Sequence, residues 1–258
     1  MRQEQLLPDD LTDAQVERYS RQLILEGVGA AGQARLGAAR VLVVGAGALG
    51  SPVIAYLAAA GVGTLAIVDG DDVELSNLGR QPLHGEGDLG VSKAESAAAA
   101  AKAINSEIAI EARHVRLSPA DATQAVAGFD VVCDATDDFE IKFALNDACV
   151  GARVPLVHAA ILEYGGQLTT VMPGGPCYRC LFGDPPAPGE IPTCAQAGIL
   201  GSVAAVVGGM QATEALKVLL GVGETLSGRL LVYDGLRPRT RIVPFHKDPR
   251  CSAPHDPM

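Results

Sequence analysis

VLVVGAGALGSPVIAYLAAAGVGTLAIVD, residues Val41 to Asp69, decides the fold. It opens with a short β-branched run, Val41 to Val44, bounded by glycine, which reads as a buried strand. A glycine-rich turn follows, then a helix over Ser51 to Ala60, then a second strand over Leu65 to Val68. Gly45, Gly47 and Gly50 make GxGxxG between strand and helix. The first glycine permits the tight turn, the second lets a phosphate approach the backbone, and the third allows close helix–strand packing. The helix N-terminus adds aligned N–H donors and positive potential. Asp69 ends the second strand 19 residues after Gly50, close to the spacing of an acid that holds a ribose. A tight turn and a strand-end acid with no ligand would carry the same letters, and the motif alone does not separate NAD from ATP.

Outward from this unit, Leu11 to Leu25 has helical spacing, with Thr12 or Asp13 as cap, and stops at Gly27–Gly29. Strands are expected at Ile108–His114, Asp130–Asp134, Pro155–His158, Gln167–Met172, Leu230–Tyr233 and Thr240–Pro244. Helices are expected at Lys93–Ile104, Phe139–Cys149 and Ser202–Leu220, and the Pro- and Gly-rich segment Gly183–Pro192 is a loop. Strands and helices alternate over the first two thirds. The expected class is α/β: a Rossmann-like, mainly parallel sheet with helices on both faces, closed by additional C-terminal strands. We read residues 1–258 as a single domain, with an N-terminal helical segment (1–40), a nucleotide-binding half (41–150) and a second half (151–258).

Composition narrows the function. Apolar residues make up 48% and charged residues 19% of the 258, which excludes a disordered chain. Thirty acidic against 20 basic residues leave no broad basic face, so no nucleic-acid partner is expected. The apolar runs Val41–Val68 and Ile191–Thr213 are punctuated by Gly, Pro and Gln, so they are expected to be buried core, with no membrane partner. The polar N-terminus and the sparse cysteines point to the cytoplasm.

After Asp69 comes an acidic cluster, Asp71 and Asp72, then Ser76, Asn77, Leu78, Gly79 and Arg80, with Lys93 thirteen residues beyond Arg80. A triphosphate needs such cations, because its oxygens carry more charge than one helix end offsets. Asp137 and Asp138 follow the Asp130–Asp134 strand at the carboxyl edge where open α/β sheets bind ligands. Carboxylates beside phosphates hold Mg²⁺. Taken singly, Arg80 and Lys93 read as surface charges and Asp137 or Asp138 as a helix cap ahead of Phe139; their convergence favours the site. Cys133 and Cys149 sit in apolar patterns and read as core, and His84, His114, His158 and His246 show no ligand spacing.

RYSRQ (18–22), GAGALGSP (45–52), LAAAGVGTLAIVD (57–69), LSNLGRQ (75–81), ATDDF (135–139) and CYRCLF (177–182) together resemble the MoeB/ThiF family, bacterial adenylyltransferases of the ubiquitin-activating-enzyme superfamily. The likeness runs from about Arg18 to Cys251. It implies a homodimer that binds MgATP and adenylates the Gly-Gly tail of a ubiquitin-like sulfur carrier. A sulfur donor of the desulfurase or rhodanese type then serves thiocarboxylate formation for molybdopterin, thiamine or thiolated tRNA. Carried over, Gly45, Gly47, Ala48 and Gly50 form the phosphate turn and Asp69 holds the ribose. Ser76 to Arg80 and Lys93 hold the triphosphate, Asp137 holds Mg²⁺ beside Asp138, and Arg21 reaches the outer phosphates from the partner subunit. The chain departs from the family pattern at Ala48 (commonly Gly), Gly79 (Gln) and Asp138 (Asn).

A fourth departure concerns zinc. Cys177-x-x-Cys180 has knuckle spacing, and the family closes such a site with a second CxxC. Here Cys251 is present, Pro254 stands at the fourth position, and His255 lies four residues beyond Cys251. A structural Cys₃His zinc site, a metal-free remnant and a redox pair all remain open. Cys194 follows the Gly183–Pro192 loop. The resemblance makes it a candidate for a covalent carrier link or sulfur transfer, while its residue type alone fits a small apolar position at a helix start. Two further readings stay open for the whole chain: an NAD-dependent Rossmann oxidoreductase, and a non-catalytic carrier-binding scaffold of the same fold.

Overall fold

The computed structural model describes residues 11–187, 189–190, 194–237 and 239–255, with backbone only at 194 and 195. Strands β1 (Arg40–Val44), β2 (Thr64–Asp69), β3 (Ala109–His114), β4 (Val131–Asp134), β5 (Leu156–Leu162), β6 (Gly165–Val171), β7 (Arg229–Asp234) and β8 (Arg239–Pro244) form one sheet in the order β3-β2-β1-β4-β5-β6-β7-β8. The first five are parallel, and β6, β7 and β8 continue the sheet antiparallel. This is the mainly parallel, Rossmann-like sheet with closing strands that the alternation predicts.

The central strands are apolar at their interior positions on both faces because both faces are covered. Val41, Val43, Leu65 and Ile67 join one core, with α2 (Gly29–Ala38), α3 (Gly50–Ala59), α4 (Lys93–Ile104) and α9 (Gly201–Leu220) packed on it. Leu42, Val44, Ala66 and Val68 join the other, beneath α5 (Ala122–Val126) and α6 (Phe139–Ala152). Two short helices, α7 (Tyr178–Phe182) and α8 (Cys194–Ala197), lie between β6 and α9. Among the described residues α9 is long and apolar enough to cross a membrane, but half of it is buried against this core. Cys133 and Cys149 are core, as expected; burial pushes the Cys133 thiol up to about 12.

At the N-terminus, α1 (Asp13–Leu23) starts on the expected cap: Thr12 accepts from the Gln15 N–H, and the Gln15 side chain accepts from the Thr12 N–H. Our reading ended this first helix at Gly27–Gly29 and named no second helix within the helical segment 1–40, where α2 stands. Three glycines and no charged–apolar periodicity hide α2 in the sequence, and it is held by tertiary contacts, Leu36 against the core and Gln33 donating to the Ala60 carbonyl at 3.0 Å.

The sheet order places a switch point at β1, whose neighbours are β2 and β4. A crevice at the carboxyl ends of β1 and β4 follows from that order alone. The turn into α3 has no slack there. A Cβ at Gly45, whose φ is +97°, would lie 2.7 Å from the Ala135 carbonyl oxygen, and one at Gly50 would lie 2.0 Å from the Gly45 oxygen. Around Gly79 nothing lies within 4 Å. Gly50→Ala is therefore expected to destabilise the fold by about 1–3 kcal/mol or more, as overpacking does. Gly79→Ala should leave the thermal midpoint unchanged, and a calorimetric scan of the two variants checks both.

Candidate active site

The glycine turn is fixed before any ligand arrives. Asp69, at the end of β2, accepts the Ala46 N–H on Oδ2 at 2.7 Å and the Asp71 N–H on Oδ1 at 2.9 Å. The N–H groups of Gly47, Ala48 and Leu49 have no acceptor among the described residues. The space beside Gly47 is open except for Gln81 Nε2, 3.6 Å from where a Cβ would stand. Unpartnered amides in a turn that leads into a helix are what an anionic phosphate needs.

Leu75–Asn77 forms a single 3₁₀ turn beside this loop, and Asn77 is buried, its Oδ1 accepting the Glu74 N–H at 3.1 Å. The turn presents exposed Ser76 and Gly79 and half-buried Leu78 and Arg80. Arg80 Nη1 donates to the Ser76 carbonyl at 2.8 Å, which folds the guanidinium back over its own segment. Lys93 opens α4 and is only 8% exposed, with Nζ 3.1 Å from Asp71 Oδ2. Arg116 pairs with the same carboxylate. Burial works to raise the Asp71 carboxyl, but Lys93 and then Arg116 outweigh it and hold the group below its usual range. Arg116 was not among the sequence candidates; it lies two residues beyond β3, in a segment with no motif to mark it.

At the end of β4, two acids that our reading grouped divide by environment. Asp137 is exposed and has no partner among the described residues. Asp138 is the N-cap of α6, accepting the Ile141 N–H at 3.2 Å. A third acid, Asp134, is fully buried in a charge cluster. Lys142 Nζ donates to its Oδ2 at 3.0 Å, and His158 Nδ1 lies 2.6 Å from the same oxygen. Burial alone would raise the Asp134 carboxyl; the Lys142 ammonium and the His158 contact instead hold it well below the usual carboxylate range. Burial pulls the His158 imidazole down. Sequence reasoning missed this cluster, and His158 had no assigned role. The available signal was a polar residue ending each of two apolar strands, since Asp134 and His158 are partners in the β4–β5 register.

Arg21 is not brought to this edge by its own chain. On α1, Arg18 Nη1 donates to the Ile104 carbonyl and Gln22 Nε2 to the Ala60 carbonyl, so the helix packs at the C-terminal ends of α4 and α3. The glycine turn and Lys93 are at the N-terminal ends, about 15 Å away along a ten-residue helix. Arg21 is exposed there. The Cys194 side chain lies outside the described residues. Its helix, α8, has four residues, too few for an appreciable macrodipole at the thiol.

Cys177, Cys180, Cys251 and His255 come together beside the middle of α6, where Asn146 Oδ1 accepts the Tyr178 N–H at 2.9 Å and Arg179 pairs with Asp147. Cys177 Sγ lies 3.8 Å from Cys180 Sγ and 3.7 Å from Cys251 Sγ, and His255 Nε2 lies 3.3 to 3.4 Å from all three sulfurs. A tetrahedral zinc with Zn–S near 2.3 Å and Zn–N near 2.0 Å requires edges of about 3.8 Å between sulfurs and about 3.5 Å from sulfur to nitrogen. The donor set fits zinc, with His255 rather than position 254 at the fourth corner. Pro254 has no donor side chain, so the ligand role at this corner falls to its neighbour.

The glycine turn at the switch point of a sheet ordered 3-2-1-4-5 through its parallel part defines a Rossmann-like nucleotide-binding protein. Residues 19–253 match the ThiF family, and the chain belongs to that family. It is 50% identical over 241 residues to the SAMP-activating enzyme E1 of Haloferax volcanii, covering 93% of this chain and 89% of that one. It is 47% identical over 246 residues to the sulfur carrier protein adenylyltransferase of Thermus thermophilus, covering 93% and 91%. Among solved structures, Escherichia coli MccB with ATP superposes with a TM-score of 0.81 at 23% identity, over 92% of this chain and 73% of that one, a likeness of fold.

The buried cluster makes a prediction. Removing Lys142 strands the Asp134 charge, so Lys142→Met should cost about 3–5 kcal/mol of stability. Asp134 has a depressed folded pKa, so its contribution is complete above the unfolded carboxylate value of about 3.9 and is lost as pH falls toward the folded value. Denaturant titrations should show wild-type stability declining in acid and a shallower decline in Lys142→Met. Equal acid slopes would contradict the assignment.

Proposed function

We propose that this protein adenylates the C-terminal Gly-Gly carboxylate of a ubiquitin-like sulfur carrier at the expense of ATP. The observation that carries the reading is identity of 47% or more, over about nine tenths of both chains, to proteins named for that activity. A carrier carboxylate oxygen attacks the α-phosphorus, the bond to the pyrophosphate oxygen breaks, and the products are an acyl-adenylate and pyrophosphate. The protein's task is positioning and charge neutralisation. The open amides of the Gly45–Gly50 turn, including Ala48, cradle phosphate. Asp69 retains lone pairs for ribose hydroxyls beyond the two backbone bonds it accepts. Ser76 to Arg80 and Lys93 face the triphosphate, with Lys93 exchanging part of its hold on Asp71 for phosphate oxygens. Unpartnered Asp137 takes Mg²⁺, while Asp138, committed to the α6 cap, shapes its surroundings.

The position of Arg21 at the wrong end of α3 and α4 supports a homodimer in which it acts on the partner's nucleotide. Cys177, Cys180, Cys251 and His255 hold a structural zinc, which supplies a closed cross-link between α7 and the C-terminal segment and takes no part in chemistry. Cys194 is the candidate for a covalent carrier link, its thiolate attacking the acyl-adenylate carbonyl carbon with AMP as the leaving group, or for a sulfur transfer in which a persulfide of the donor protein supplies the outer sulfur and leaves as a thiolate. A separate sulfur donor completes the thiocarboxylate for molybdopterin, thiamine or tRNA thiolation, in the cytoplasm.

The test is ATP–pyrophosphate exchange with and without Gly-Gly-ended carriers. Carrier-dependent exchange is expected; bound ATP with no exchange would favour a scaffold, and NADH binding without ATP binding an oxidoreductase. Arg21→Ala is expected to lose about 10³-fold or more in exchange rate, as an arginine finger does, and near-normal turnover would remove that role. Elemental analysis is expected to find about one zinc per chain, held less tightly as pH falls because its ligands must be deprotonated. A zinc-free protein, or one whose His255→Ala variant retains zinc equally well, would contradict the ligand set.

A further inference from the structure

His84 lies on the segment after Arg80, 5% exposed, and reaches two elements at once. Its Nε2 is 2.8 Å from the Ala46 carbonyl oxygen and its Nδ1 is 2.8 Å from Ser96 Oγ. A carbonyl only accepts, so Nε2 carries a proton and donates to it, while Nδ1 shares a hydrogen bond with the Ser96 hydroxyl. Ala46 stands inside the glycine turn, and its N–H is already held by Asp69. Both peptide groups of Ala46 are therefore fixed, one by a carboxylate and the other by an imidazole. In a planar trans peptide, the Ala46 C=O and the Gly47 N–H point to opposite sides. Holding the carbonyl toward His84 turns the Gly47 N–H to the opposite side, where no acceptor among the described residues meets it. Without that restraint the peptide before a glycine can rotate cheaply. A rotated plane would present a carbonyl oxygen where a phosphate must sit. Ser96 lies three residues beyond Lys93 on α4, so one ring also sets the turn against the helix that carries the ammonium.

We infer that His84 is a positioning residue of the nucleotide site: it holds the Ala46–Gly47 peptide with its N–H toward the phosphates and locks the glycine turn to α4. The inference rests on the adenylyltransferase reading. Its test compares His84→Gln, which keeps a donor, with His84→Met, of similar size and without one. In pyrophosphate exchange the ATP KM is expected to rise about tenfold in the Met variant, the worth of one buried hydrogen bond, and to stay within about threefold of wild type in the Gln variant. kcat at saturating ATP should move less than KM, and the two variants should melt together. Equal KM values for wild type, Gln and Met would overturn the inference. If neither variant folds, Ser96→Ala decides: a KM raised about threefold is expected from loss of one anchor of the ring, and a wild-type KM would overturn it. Wild-type protein that neither binds ATP nor exchanges pyrophosphate would overturn the functional reading as well. Wild-type exchange that is indifferent to His84 would overturn the positioning role alone.

Discussion

The hydrogen bond from the Ala46 N–H to Asp69 is the contact on which the nucleotide edge depends. It ties the turn after β1 to the end of β2, and the turn has no freedom to relax elsewhere. Ala135 closes on it from β4, and the Gly45 oxygen closes on Gly50. The same turn leaves three consecutive backbone amides, Gly47 to Leu49, without acceptors among the described residues. Small helix residues such as Ala94, Ala97 and Ala101 let α4 sit close enough for Lys93 to reach Asp71.

The charged residues of the edge fall into two populations with different physics. Asp134, Lys142 and His158 are desolvated and pair through the Asp134 carboxylate beneath the surface, holding β4, β5 and α6 together, while His158 Nε2 is buried without a hydrogen-bond partner. Gln211 adds to this from α9, with Nε2 donating to the Asp134 and Val157 carbonyls at 2.8 and 2.9 Å. Asp137, three residues beyond Asp134, is exposed and has no partner among the described residues, so it is free for a cation. α6 links the glycine-turn edge to the Cys₃His cluster: it is capped by Asp138 and meets the cluster through Asn146 and Asp147 at mid-helix.

Most of the frame was legible because each local signal agrees with the fold. The strand–glycine–helix–strand unit, the Thr12 cap and the apolar strand runs all carry their own period or punctuation. Helix α2 was not legible, since three glycines offset the helix propensity of its alanines and Leu36 is its one large apolar residue, so packing selects its conformation. The site divides the same way. Gly45, Gly50 and Asp69 are demanded by backbone geometry and show in the letters. Histidines 84 and 158 do not show by ligand spacing: His84 meets a carbonyl of the glycine turn through the fold, and His158 meets a carboxylate through the β4–β5 register, with only its place after an apolar run to mark it. The fourth corner of the cysteine cluster was readable only as a choice between positions 254 and 255, and the chemistry of proline makes that choice.

The claim at the centre of this account is that the edge serves attack at the α-phosphorus of ATP. Incubating the protein with a Gly-Gly-ended carrier and ATP labelled at either the α- or the γ-phosphate tests it directly. The account predicts that α-label travels with the carrier as an acyl-adenylate while γ-label leaves as pyrophosphate. Label from the γ-position on the carrier, or α-label that never joins it although ATP is bound, would contradict it.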